Sequence, residues 1–205
     1  MELGIVNSLG EPGGNFTGST FLSLELAGKR VELLKEAVPT VRRLAVLSNS
    51  LHPGEQSEWR ATTDAATALG IETVYVPFAG KNELDKGLAA AGNARADALL
   101  VFPDVLTMVH RAKIAEFAIA HRLPSMFGWR EYCEAGGFAS YGGNQRATYR
   151  RLAVYADRIL RGDKPQDLPI ERVTRFEFVL NLKTAKTLGM DVPPTVLARA
   201  DEVIE

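Results

Sequence analysis

A chain of 205 residues can bury one large core or two small ones. With 46% apolar and 24% charged residues, and 24 basic against 25 acidic side chains, it reads as a globular protein with no excess charge for nucleic acid. The single cysteine, Cys133, excludes an internal disulfide and a Cys-rich metal site, and reads as a small buried apolar residue.

In chain order, residues 3–9 are ambiguous. Leu3, Val6 and Leu9 fall three apart and favour a short helix. The stretch from Gly10 to Gly18 is turn-rich and holds no phosphate-binding glycine pattern; its Asn15-Phe16-Thr17 sequon carries no weight. Leu24, Ala27, Val31, Leu34 and Val38 share one face of a helix that Ser23 can cap and Pro39 closes. A strand at 44–48 follows, then a helix at 54–69 ended by Gly70, a strand at 72–76 and a helix at 81–91. Next come a strand at 98–102, a helix striped by Met108, Ala112, Ala115 and Ile119, and strands at 125–127 and 138–141. Tyr149, Leu152, Ala156 and Ile159 stripe a further helix that stops at Gly162. The tail reads as a strand at 176–180, a helix at 182–188 and a last short helix entered through Pro193-Pro194. The runs at 72–76, 98–102 and 125–127 are near-continuously apolar, as in strands covered on both faces. Strands separated by helices of this length imply right-handed βαβ units and an α/β fold with a parallel sheet.

In such a sheet ligands bind beyond the carboxyl ends of the strands. That selects four loops: 49–53, 103–107, 128–131 and 142–144. Asn49, Ser50 and Asp104 suit helix capping as well as ligand contact. Trp129 suits stacking on a planar ligand as well as covering core. His52, His110 and His121 are scattered without a partner pattern and read as surface residues. Asp97 and Asp104 do not read as an acid/base pair, because Asp97 opens a strand and Asp104 follows it. Nothing in the spacing suggests a nucleophile elbow, a nucleotide fingerprint or a metal set.

The order and spacing of several segments resemble one family. These are PGGNFTG at 12–18, KRVELLK at 29–35, ADALLV at 96–101, REY at 130–132, AGG at 135–137 and SYG at 140–142. They continue with YADRILRGDKP at 155–165, DLP at 167–169 and the closing residues 176–205. Together they are similar to the ABC-transporter substrate-binding proteins of the tryptophan/tyrosine-uptake type. The resemblance implies a type I periplasmic-binding-protein fold with an incomplete first lobe. Residues 1–18 would be a first-lobe remnant and first crossing, and 19–138 the second lobe. Residues 139–175 would be a crossing and first-lobe helix, and 176–205 a return to the second lobe. Hinge crossings would fall at 17–20, 140–142 and 172–176.

The resemblance implies capture of a small-molecule solute, an amino acid among the candidates, in a cleft between lobes, and delivery to an ABC permease. It implies no cofactor, no nucleic acid and no catalysis. Contacts carried over by position are Thr17, Asn49, Ser50, Asp104, Trp129, Ser140 and Tyr141. Asp104 is the candidate for an ammonium group, and Trp129 or Tyr141 for an aromatic side chain. Family members are extracytoplasmic, whereas residues 1–6 do not read as a signal peptide. A missing front would explain that, and would leave a first-lobe face open to self-association. The rival readings are a ligand-sensing domain of a transcription regulator, a small α/β enzyme, against which the absent catalytic motifs stand, and a remnant without independent binding.

Overall fold

The computed structural model describes residues 4–205. Its elements run β1 (Ser19–Thr20), α1 (Ser23–Ala37), β2 (Arg43–Asn49), α2 (Glu55–Ala68) and β3 (Glu72–Phe78). They continue with α3 (Leu84–Asn93), β4 (Ala98–Val101), α4 (Val105–Val109), α5 (Arg111–Ala120), β5 (Ser125–Phe127) and α6 (Arg130–Glu134). The last are β6 (Ala139–Gly143), α7 (Gln145–Leu160), β7 (Glu171–Arg172), β8 (Phe176–Asn181), α8 (Leu182–Thr187), α9 (Pro194–Leu197) and β9 (Glu202–Ile204). Two compact units result: a smaller one from residues up to 22 plus 143–176, and a larger one from 23–142 plus 177–205.

The larger unit is built on a seven-stranded sheet of order β3-β2-β4-β5-β6-β8-β9. Its paired strands β2–β3, β2–β4, β4–β5, β5–β6 and β8–β9 are all parallel. Residues 44–49 of β2 and all of β4 and β5 are buried, as expected where helices cover both faces of a parallel sheet. The core joins Val31, Leu34, Leu44, Val46, Leu100, Met126, Phe138 and Leu180. Removing this much apolar surface from water is the main force holding the unit together.

The smaller unit pairs β1 with β7 in parallel. Tyr155 of α7 donates its hydroxyl to the Pro169 carbonyl at 2.6 Å, and the Ile170 amide reaches the Leu9 carbonyl at 2.7 Å. Arg151 grips both carboxylate oxygens of Glu171 at 2.8–2.9 Å.

Several expectations are corrected. Residues 4–9 form no helix, and Leu3 lies outside the described residues. The Asn7 and Ser8 amides bond instead to the Pro12 and Glu11 carbonyls, and the Ser8 hydroxyl accepts from the Glu11 amide. Turn chemistry here outcompetes the three-residue spacing. The strand at 72–76 is not covered on both faces: β3 lies at the sheet edge and leaves Tyr75 exposed. β2 lies inside it, between β3 and β4, and is buried from Leu44 to Asn49. The single helix striped by Met108, Ala112, Ala115 and Ile119 is two helices with a break at His110. The break shifts the phase, so Ile114, Ala115 and Ala118 face the core and Ala112 is exposed. In α7 the expected stripe is mostly exposed, and Thr148 and Tyr155 are buried instead. The short strands β1, β7 and β9 were not legible as apolar runs.

Candidate functional site

Because β2, β4, β5 and β6 are neighbouring parallel strands, the loops at their carboxyl ends share one edge of the larger unit. Asn49 ends β2 and is buried at 7% exposure. Its side-chain oxygen accepts from the Leu51 amide at 3.2 Å and the Gly80 amide at 3.4 Å. Its Nδ2 donates to Asp104 Oδ1 at 3.3 Å. One amide group thus binds the loops that follow β2, β3 and β4.

Asp104 caps α4: its Oδ1 also accepts from the Leu106 amide at 2.8 Å, and Thr107 returns the contact through its hydroxyl at 3.2 Å. Ser50 is exposed and donates to the Phe78 carbonyl at 3.3 Å. Capping and loop-tying are therefore the observed roles of these three side chains. A carboxylate has acceptor capacity beyond two such bonds.

Glycines let the neighbouring loops meet. A Cβ at Gly142 would lie 1.9 Å from the Gly128 carbonyl oxygen, and one at Gly128 would lie 2.5 Å from Pro103 Cγ. Only glycine fits either close approach. Pro103, Gly128 and Gly142 immediately adjoin Asp104, Trp129 and Tyr141 in sequence, so this junction draws those three candidates toward one another.

The Trp129 ring is largely buried and stacks at 6.5 Å on Tyr132, which stacks in turn on Phe127 at 4.5 Å. The Tyr132 hydroxyl donates to Thr107 Oγ1 at 2.7 Å, and Thr107 donates to the Phe102 carbonyl at 3.1 Å. Burial holds the Tyr132 phenol well above its ordinary range. Ser140 is buried, its hydroxyl beside the Cys133 thiol. Burial pushes that thiol up to about 12, which leaves it inert as a nucleophile. Tyr141 is half-buried. Thr17 belongs to the smaller unit, where it donates to the Leu168 carbonyl at 2.6 Å.

A buried charged cluster was missed. Arg30 and Glu58 pair at 3.0 Å with side-chain exposures of 1% and 4%. Glu55, one turn before Glu58, accepts from the Ser48 hydroxyl at 2.7 Å. Helical spacing carried the signal. Arg30 lies three after Ala27 and four before Leu34, and Glu55, Glu58, Thr62 and Ala66 line one buried face of α2. Charge argued for solvent, and pairing overrode it.

Asp97 and Asp104 lie at opposite ends of β4. Asp97 accepts from the Arg42 and Arg43 amides at 2.9 Å each. Among the described residues no His, Cys, Asp and Glu group could hold a metal ion, and no helix is long and apolar enough to cross a membrane. Surface depressions occur among the described residues. One, of about 370 Å³, is lined by Glu55, Trp59, Arg60 and Tyr75. Another, of about 690 Å³, is lined by Asn7, Glu11 and Asp167 in the smaller unit. Neither contains a predicted site residue. At the strand-end edge, Leu51 and Val105 are exposed apolar side chains, at 68% and 75%.

Comparison with known proteins gives a consistent picture. The chain is 24% identical over 191 residues to the tyrosine-binding protein of Clostridioides difficile, covering 93% of this chain and 54% of that protein. It therefore spans about half the length of that curated relative. A solved ABC domain from Streptococcus pneumonia in complex with L-Trp superposes with a TM-score of 0.86 at 25% identity, over 97% of this chain and 68% of that one. A conserved domain protein from Vibrio cholerae superposes at 0.87 with 26% identity, over 97% and 66%. The sequence pattern of the ABC transporter substrate binding proteins matches residues 1–204, and the chain belongs to that family.

Proposed function

We propose that the chain is the solute-holding part of an ABC uptake receptor, and that its solute is an amino acid with an aromatic side chain. The observation that carries the reading is the family match along residues 1–204, joined to the tying of three strand-end loops by Asn49 beside Asp104. The named ligands of two relatives, tyrosine and L-Trp, support the choice of solute.

In this reading Asp104 receives the ammonium group through a charge-assisted hydrogen bond. Ser50 supplies a hydroxyl, with Asn49 orienting the loops. Leu51, Val105, Trp129 and Tyr141 offer apolar and aromatic surface to the side chain. The larger unit acts as the second lobe, corresponding to residues 19–138 with 176–205 returning to it. Segments 17–20, 140–142 and 172–176 serve as hinge crossings. The solute is held and released rather than transformed, and an extracytoplasmic receptor hands it to a membrane permease.

The test is a thermal-shift and calorimetric screen of the 205-residue chain against the common amino acids. A ligand that binds only the folded form raises the melting temperature. A rise with L-tyrosine or L-tryptophan, matched by calorimetric binding, supports the reading. No shift and no heat with any amino acid would sink it.

A further inference from the structure

Arg30 is among the largest fully buried side chains of the protein, and its guanidinium is divided among three partners. Nε donates to the Tyr141 carbonyl at 2.9 Å. Nη1 donates to Glu58 Oε1 at 3.0 Å and to the Ser23 carbonyl at 3.4 Å. Nη2 lies close against Gly128, where an added Cβ would sit 3.3 Å away. Ser23 is the first residue of the 23–142 stretch of the larger unit, and Tyr141 is its last but one. One planar cation therefore bonds both ends of that stretch at once.

An isolated cation in this position would be prohibitively costly to bury. Glu58 supplies the countercharge from α2, and the two backbone carbonyls use donors that the carboxylate leaves over. Lysine could not replace this arrangement, since an ammonium is a single compact point rather than a fork. A guanidinium needed only to neutralise Glu58 has no reason to span two chain ends 118 residues apart in sequence.

We propose that Arg30 is a positioning residue that fixes the points where the chain enters and leaves the larger unit. It clamps the Ser23 and Tyr141 carbonyls, so that the chain bends before Ser23 and, within the 140–142 crossing, only after Tyr141. The role rests on the reading of 17–20 and 140–142 as hinge crossings. Glu58 accepts from the guanidinium at 3.0 Å, and Gly128 provides the space for it beside Trp129. The clamp thereby ties the geometry of the crossings to the loop that carries a candidate binding residue.

The experiment is hydrogen–deuterium exchange of the whole chain, resolved by mass spectrometry, in the wild type, Arg30→Lys and the double variant Arg30→Met/Glu58→Leu. Removing one partner alone endangers the fold, whereas replacing a buried ion pair by apolar residues of similar volume is commonly tolerated. With the two carbonyls released, easier local opening of the backbone should speed exchange of the neighbouring amides in peptides covering 20–28 and 139–145 by about tenfold. Peptides from β2 and β4 should keep their wild-type rates in both variants. Unchanged exchange at the two crossings would overturn the proposal. So would an equal rise in every peptide, which marks general loss of stability. No solute enters this measurement, so a chain that binds no amino acid would sink the proposed function while leaving this result readable.

Discussion

The side-chain amide of Asn49 donates to Asp104 Oδ1 across 3.3 Å and so joins the loops that follow β2 and β4. The same Asn49 oxygen holds the Leu51 and Gly80 amides. The loops after β2, β3 and β4 are thus tied together by one neutral residue, with the Asp104 carboxylate bonded to it.

That division of labour separates two substitutions. Asn49→Ala leaves two amides without their acceptor and should cost about 1–3 kcal/mol in denaturant unfolding. Asp104→Asn keeps a capping oxygen and should hardly change stability. It removes the charge, so under the proposed function affinity for an aromatic amino acid should fall by about tenfold or more. Unchanged affinity in calorimetry would remove Asp104 from the site.

Gly142→Ala tests the loop junction. Its methyl would meet the Gly128 carbonyl oxygen at 1.9 Å, a backbone atom that no rotamer can move aside. The expected loss is about 3 kcal/mol or more, at or above the usual range for overpacking. A Gly142→Ala protein with wild-type unfolding would show that the close approach is not maintained in solution.

Glu58 should give the larger unit a pH-dependent stability. Burial pushes its carboxyl up from 4.5 to about 7, aided by Glu55 on the same helix and opposed by Arg30 from α1. The folded state then binds more protons than the unfolded chain between those two values. The corresponding stability is fully present below about 4.5 and is lost as the pH rises to about 7. The melting temperature should therefore fall by a few degrees from about pH 5 to about pH 8, at ~2–4 °C per kcal/mol for a chain of this size. Glu58→Gln should flatten that slope, whatever its effect on absolute stability. An equal slope in the two proteins would assign the effect to other groups.

Cys133 should resist thiol reagents. It is fully buried and its thiol is pushed up to about 12. A colorimetric thiol assay should detect almost none in native protein and one per chain in denaturant. Rapid labelling under native conditions would contradict the packing of β6 and β8 around it.

Much of the scaffold was legible because its signals are local. The apolar runs at 98–102 and 125–127 mark strands whatever surrounds them, and the glycine after α2 ends that helix by backbone conformation. The split at His110 was not legible, because an apolar stripe continues across it in sequence while the backbone does not. Asn49, Ser50 and Asp104 were visible as loop residues. Their mutual bonds were not, since Asn49 and Asp104 stand 55 positions apart.

The α/β alternation and the parallel sheet were legible in the chain itself, because both follow from side-chain periodicity and turn chemistry within a few residues. The tertiary contacts set β3 at the sheet edge with β2 inside it, pair Arg30 with Glu58 in the interior, and bring Gly142 against Gly128. Each of these depends on which distant segments come within contact range, and periodicity carries no information about that.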